Sequence, residues 1–588
     1  MSTEASSQSG LTHVWEKVEI TLHAANAYEN PYTDVEVWVD LQGPGFQRRV
    51  YGFWDGEDVF RVRVLATTPG EWRWTSGANV ADSGLRDQSG AFRAIAWTEA
   101  EKQENPCRRG FLRPTGNGHA IEHADGTPCF LLGDTWWSTP TFRYRWDDDG
   151  IERPIGPEMG FKDMVRLRRS QGYNCIAMIA AFPNWANDGH PPHIELDGAE
   201  HTGIRSAWRQ AGTQSAKDMH NEGGRPFLFP GRVPGYKDVY PDMDRINPAY
   251  FRYMDRKVDY LNAQGFIPFI EVARRDASQA WARFYNWPAS YARYIQYVWT
   301  RYQANNCIFS PIHFDWAHLS IPSRAYNEPA NAVVAKGIPA FDTLRSCNSA
   351  GSSLINFGNS DQNKWLTMHQ IGNLRHHASH WLLTEIYHES QPTRPALNGE
   401  PYYAGWPPGT PILPGTEEAD TYCRSGMYGS FLSGGLAGHI YGAEALWGGD
   451  IEPAAPYKMW DALQWRSGAQ MQYLREFALS EGARYQELVP NAQLVYPNQT
   501  HEWEGNRGWA YCARTPDKSL FMVYFEADCP QSIVRGTLYE RTYHAQWFNP
   551  RNGEWTDIGP LTASHQCEIK LPPQPTSEDW ALKLTLVP

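Results

Sequence analysis

The 588-residue chain is 41% hydrophobic and 20% charged, ordinary for a folded soluble protein but too long for one core, so roughly three domains are expected. A formal net charge of −13 argues against nucleic acid or another polyanion as partner, and no run approaches the ~18 apolar residues of a membrane span, so no membrane partner is expected either. The polar opening from Met1 to Gly10 does not read as a secretory signal, and nine scattered cysteines without a C-x-x-C pair argue against a disulfide framework or structural zinc, so a reduced, cytoplasmic protein is expected.

Residues 14–97 alternate with the period of strands, as in Val35-Glu36-Val37-Trp38-Val39-Asp40-Leu41, with turns at Asn30-Pro31, Gly43-Pro44-Gly45 and Thr68-Pro69-Gly70. That spacing predicts an antiparallel β-sandwich over residues 1–105, read as a structural wall in preference to a carbohydrate-binding module. The polar run 99–106 reads as a linker, and a hairpin follows, with 119–122 paired across 124–127. From 106 to 482 buried strands alternate with helices. Strands are predicted at 129–134, 174–180, 266–271, 307–315, 353–357, 382–386, 394–399 and 437–441. Helices are predicted near 158–170, 248–263, 288–304, 325–336, 417–433 and 456–479. Eight buried strands, with no Gly-rich phosphate loop after any of them, favour an α/β fold of the (β/α)8 TIM-barrel type over a doubly wound open sheet. A Gly-, Pro- and His-rich insertion over about 183–247 follows strand two. It is expected over the barrel mouth as a lid or a subunit contact, which leaves a homo-oligomer open. Alternation returns over 483–588 and predicts a second antiparallel sandwich.

In a barrel of this type the active site lies at the C-terminal ends of the strands. Those ends carry Asp134, Glu271, Asp315, Glu385, Glu400 and Tyr441, with Trp136, Trp137, Trp316 and Trp447 nearby, and with His313 and Tyr402 flanking two of the acids. Carboxylates and indoles at one mouth suit a glycosidase acting on an oligosaccharide or glycoside. One carboxyl group protonates the leaving oxygen, a second attacks the anomeric carbon or activates water, and aromatic faces carry the sugar. Asp315 and Glu400 each close a buried strand just ahead of an aromatic residue and are the expected catalytic pair; the others are assigned to substrate binding. Each of the others has a plainer reading: Asp134 bonding a neighbouring loop, Glu271 in a salt bridge with Arg274 or Arg275, Glu385 in a polar network under the site. No cofactor is expected. His190, His193 and His201, and the run His376, His377 and His380, make a weak zinc pattern and read better as surface or core histidines. A non-catalytic carbohydrate-binding barrel and a metal-dependent hydrolase are the alternatives from other classes.

Three motifs resemble the apiosidase-like barrels of glycoside hydrolase family 140: Gly133-Asp134-Thr135-Trp136-Trp137, Arg394-Pro395 through Gly399-Glu400-Pro401, and Arg424 through Gly438-His439-Ile440-Tyr441-Gly442 with Trp447. Asn30-Pro31-Tyr32, Gly52-Phe53-Trp54-Asp55-Gly56 and Gly70-Glu71-Trp72 are similar to the sandwich that often precedes that barrel. The stretch from Trp547 to Trp555 resembles the collagen-binding-like sandwich that follows it. The resemblance implies a glycosidic-bond hydrolase with an Asp after strand four as acid/base and a Glu after strand seven as nucleophile, roles that fall on Asp315 and Glu400. Where the family has two glycines before that Asp, this chain has His313-Phe314, so specificity for apiose does not carry over.

Overall fold

The computed structural model of the chain describes residues 10–181, 194–196, 199–201, 220–229, 231–232, 241–274, 281, 285–315, 321–372, 377–405, 412–502 and 505–588. The architecture is mixed α/β, with one large sheet flanked in sequence by smaller sheet pairs. At the N-terminal end, Val37–Gly43, Phe46–Tyr51, Gly70–Ala78 and Ser89–Ile95 pair antiparallel. They share a core with the sheet of Val18–His23, Phe53–Gly56 and Val59–Val64, through residues such as Val39, Leu41, Val62 and Trp72. One pairing departs from the antiparallel expectation: the edge strand Leu11–His13 runs parallel to Ser89–Ile95. No hairpin ties this first segment to its neighbour, so no turn dictates its direction. The polar run read as a linker contains a helix, Glu99–Glu104, because Thr98 and Glu101 form a capping box that satisfies two orphan amides reciprocally.

The large sheet holds β1 (Leu131–Thr135), β2 (Cys175–Ala181), β3 (Ile267–Ala273), β4 (Ile308–Ser310), β5 (Gly351–Ser352), β6 (His369–Gly372), β7 (Ala396–Glu400) and β8 (Gly438–Tyr441). Their order is β4-β3-β2-β1-β8-β7-β6-β5, and every pairing but β5–β6 is parallel. β2 and β3 are buried at every position, as their unbroken apolar runs require when both faces are covered. Isolated parallel bridges join Phe309 to Arg345, Phe314 to Ser349 and Ala350 to Gly372, so the segment 345–350 touches both β4 and β6. Helices α1 (Phe161–Ser170), α2 (Pro248–Ala263), α3 (Ala289–Tyr302), α4 (Asn327–Ala335), α5 (Ala378–Glu389), α6 (Glu417–Leu432) and α7 (Arg466–Ala478) alternate with these strands.

Two expected strands are helices. Residues 353–357 form the short helix Ser353–Phe357, whose first turn Ser352 caps through the Ile355 amide. Residues 382–386 lie inside α5, where Leu383 and Ile386 are buried on one face, a helical spacing rather than an alternating one. The sixth strand is β6, whose His-Gln-Ile-Gly sequence has no apolar run. Its polar side chains are bonded internally instead, His369 Nδ1 lying 2.9 Å from Ser353 Oγ and Gln370 Nε2 donating to Ser346 Oγ at 3.1 Å.

The C-terminal strands, among them Ala510–Arg514, Leu520–Phe525, Thr542–Phe548 and Trp580–Leu586, form a six-stranded and a three-stranded sheet, antiparallel throughout, with a core of their own. Buried ion pairs join the parts. Asp255 on α2 accepts from Arg63 of the N-terminal sheets and Arg301 of α3, and Arg424 on α6 donates to Asp579 at 2.8 Å. Within the insertion, the described residues form two short antiparallel pairs, Ile194–Leu196 with Ala199–His201 and Phe227–Leu228 with Asp242–Ile246. His220 and Asn221 bond the turn after β1 through Phe142 N and Pro140 O. Most of the expected lid, with His190 and His193, lies outside the described residues.

Candidate active site

The ends of β3, β4 and β7 converge on one buried group of side chains. Glu271 in β3 is fully buried. It accepts the Asn348 amide at 3.0 Å and is bonded to His313 Nδ1. Burial pushes its carboxyl well above the usual carboxylate range, against the Asn348 N–H, and the nearby Glu400 adds to the rise. The expected salt bridge to Arg274 is not the one formed, since Arg274 Nη2 instead donates to Asp315 Oδ2 at 3.2 Å; Arg275 lies outside the described residues. The physical reason lies in the fourth strand. Pro311 has no amide for the ladder, β4 stops at Ser310, and the chain rejoins β3 through a bridge between His313 and Arg274. That register sets His313 against Glu271 and Asp315 against Arg274.

His313 therefore stands between two acids, with Nε2 3.4 Å from Asp315 Oδ1, and Trp137 lies edge-on to its ring at 4.6 Å. Glu400, at the end of β7, accepts from Asn348 Nδ2 at 3.0 Å. One donor atom each of His313, Asp315 and Glu400 lie within 4.8 Å of one another, all three residues buried; among the described residues this is the group that could hold a metal ion. Arg274 also lies over the half-buried Trp447 at 5.8 Å, and Trp447 Nε1 donates to Glu444 at 2.8 Å. Three carboxyl groups, an imidazole and a guanidinium thus form one cluster beside the indoles of Trp137 and Trp447. Such a set can donate a proton, present an oxygen nucleophile, or ligate a cation.

The other expected residues divide. Trp137, Trp447 and Glu271 join this cluster. Asp134 is fully buried and accepts from Arg168 of α1 at 2.6 Å. Trp136 is buried against Tyr144. Tyr441 bonds Ser467 at 2.9 Å and lies beside the same Arg168. Tyr402, two residues past Glu400, packs against Tyr422 at 5.2 Å. Glu385 is exposed on α5, which removes the premise of a strand end, and Trp316 lies outside the described residues. His377 is bonded to Glu526 at 2.6 Å and stacks on Trp509, and His380 meets Tyr511 edge-on. Both belong to the junction with the C-terminal sheets; His376 lies outside the described residues. Sequence reasoning missed Asn348 and the role of Arg274. Asn348 sits in Cys347-Asn348-Ser349, between elements, where no periodicity marks it; only the bridges of 345–350 carry it to Glu400.

Comparison with known proteins bears on the same residues. The family model described as "Apiosidase-like, catalytic domain" matches residues 115–483, a domain of unknown function matches 12–79, and a collagen-binding domain of a collagenase matches 489–585. No curated protein matches the sequence. Among solved structures, a Bacteroides vulgatus protein described as a glycoside hydrolase is similar over 98% of this chain and 100% of its own, with 14% identity and a TM-score of 0.66. A glycoside hydrolase family 5 protein of the same organism is similar over 82% of this chain and 94% of its own, with 16% identity and a TM-score of 0.57. At these identities the likeness is one of fold.

Proposed function

The chain belongs to the apiosidase-like family through its catalytic domain and is a glycoside hydrolase, and on that premise we propose that Asp315 and Glu400 cleave a glycosidic bond in short oligosaccharides or at glycan ends with retention of configuration. The observation that carries this reading is the separation of the two acids. One oxygen of each, with one nitrogen of His313, fall within 4.8 Å of one another, so the closest approach of the two carboxyl groups is short. A retaining pair stands ~5–5.5 Å apart, whereas an inverting pair needs ~6.5–9.5 Å to admit a water. Asp315 donates its proton to the leaving oxygen while Glu400, oriented by Asn348, attacks the anomeric carbon. Asp315 then takes a proton from the water that releases the glycosyl-enzyme. Trp137 and Trp447 offer apolar faces for the sugar.

The same reading includes a closed (β/α)8 barrel, supported by eight strands in sequential order and by a segment, 345–350, that bridges β4 and β6. It divides the chain into parts at 1–105, 106–482 and 483–588, supported by the separate cores of the terminal sheets. Nine free cysteines favour a reducing, cytoplasmic setting. Among the described residues no helix is long and apolar enough to cross a membrane.

Asp315 is engaged by Arg274 at 3.2 Å, an arrangement that also suits the alternative, a non-catalytic carbohydrate-binding protein. A panel of aryl glycosides, furanosides included, tests both. Release of aglycone by the wild type and a drop of orders of magnitude in Glu400→Gln are expected. Near-normal turnover in Glu400→Gln sinks the nucleophile assignment, and sugar binding without turnover favours the alternative.

A further inference from the structure

The geometry points to a second use of this pocket: His313, Asp315 and Glu400 form a binding site for a divalent cation of the zinc class, which occupies the reaction centre in competition with substrate. The spacing is that of ligands. His313 Nε2 and Asp315 Oδ1 are 3.4 Å apart. Two tetrahedral ligands each ~2.0–2.1 Å from one ion stand about 3.4 Å from each other. The Glu400 oxygen, within 4.8 Å of both, needs to close by at most about 1.4 Å, a rotamer adjustment for a glutamate at a strand end, to complete three of four positions.

A second observation points the same way. Nδ1 of His313 is engaged by Glu271, a fully buried carboxylate on the neighbouring strand. A cation on the far side of the ring favours ionisation of Glu271, and a carboxylate in that place fixes the tautomer with its lone pair on Nε2, the atom that faces Asp315 here, the usual support of a metal-ligating imidazole. One imidazole with two carboxylates suits zinc and its neighbours, whereas magnesium and calcium prefer all-oxygen sites.

An ion held by both Asp315 and Glu400 leaves neither a proton to give nor a free oxygen to attack, so it inhibits hydrolysis; this consequence, unlike the binding itself, rests on the glycosidase reading. The test is calorimetric titration of the tag-free, chelator-stripped full chain with zinc chloride, and with magnesium chloride in parallel. One zinc per chain is expected, weakened at least tenfold in His313→Gln and in Glu400→Gln, and about 10–100-fold in Glu271→Gln, with no binding of magnesium. Absence of zinc binding, binding that survives all three substitutions, or equal binding of magnesium overturns the proposal. Should a variant fail to fold, the visible absorption of cobalt(II) bound to the wild type serves instead. Bands of a four-coordinate ion with a nitrogen ligand support the site, and a six-coordinate aquo-like spectrum overturns it. Because calorimetry uses no substrate, zinc binding without any glycosidase activity sinks only the functional reading, and turnover without zinc binding sinks only the metal site.

Discussion

Asn348 should control the rate of the reaction without touching the substrate. Its Nδ2 donates to Glu400 Oε2 at 3.0 Å, while its backbone amide donates to Glu271 at 3.0 Å, so Asn348→Ala removes the first contact and leaves the second. A hydrogen bond to a charged group contributes about 1.5–3 kcal/mol, and each 1.36 kcal/mol is tenfold in rate. If the bond holds Glu400 in its attacking position, kcat should fall about ten- to a hundredfold with KM within about threefold, because the lost contact is to the nucleophile rather than the sugar. Initial rates on the best aryl glycoside measure this, with thermal unfolding to verify that the variant folds. The double variant with Glu400→Gln should be no slower than Glu400→Gln alone, since both changes act on one group. A kcat within threefold of wild type, or a rise in KM at unchanged kcat, refutes the role.

Gly372 should prove equally intolerant, for a steric reason: a Cβ there would overlap Asn348 Oδ1 and come within 3.3 Å of the Glu400 Cβ. Gly372→Ala is expected to reproduce the kcat loss of Asn348→Ala, and wild-type kinetics would contradict it. Asp255→Asn should destabilise the chain by about 3–5 kcal/mol in urea unfolding, nearer the lower figure, because it takes the shared carboxylate from two buried guanidiniums, whose remaining acidic partners are Glu19 and Asp55. Burial alone would raise the Asp255 carboxyl, but Arg301 and Arg63 outweigh it and hold it far below the carboxylate range. Its stabilisation is therefore complete above about pH 4 and lost as the pH falls below that value, so the Asn variant should have a flatter acid limb than wild type. At Lys257 the charged form is instead the one that folding disfavours. Burial brings its ammonium down to about 7, and it donates to the carbonyls of Thr139 and Thr141. The native state then binds fewer protons than the unfolded chain between about pH 7 and 10, and stability rises with pH there. Lys257→Met should lack up to about 2–3 kcal/mol of that gain between pH 7 and pH 9; parallel curves would refute the buried amine.

Much of this protein can be read along the chain wherever a residue's neighbours in sequence are also its neighbours in space. The unbroken apolar runs of β2 and β3, the alternation in the terminal sheets, and the position of Glu400 at the end of Ala396–Glu400 are all local patterns. So is the mistaken pair of strands: Leu382, Leu383 and Ile386 are apolar enough for either element, and only their burial on one face of α5 separates the two. β6 was illegible because its polar side chains are satisfied by Ser346 and Ser353, partners outside the strand itself. The chemistry of the site lies further still from any local pattern. From sequence alone, Asp315 and Glu400 could be named as acids at strand ends, and the glycosidase family could be recognised from the motifs around them. Which arginine meets which acid, that His313 bridges Glu271 and Asp315, and that Asn348 holds Glu400 were decided by tertiary structure alone, because hydrogen bonds between strand ends depend on the register of chains up to 77 residues apart, and no local propensity encodes that register.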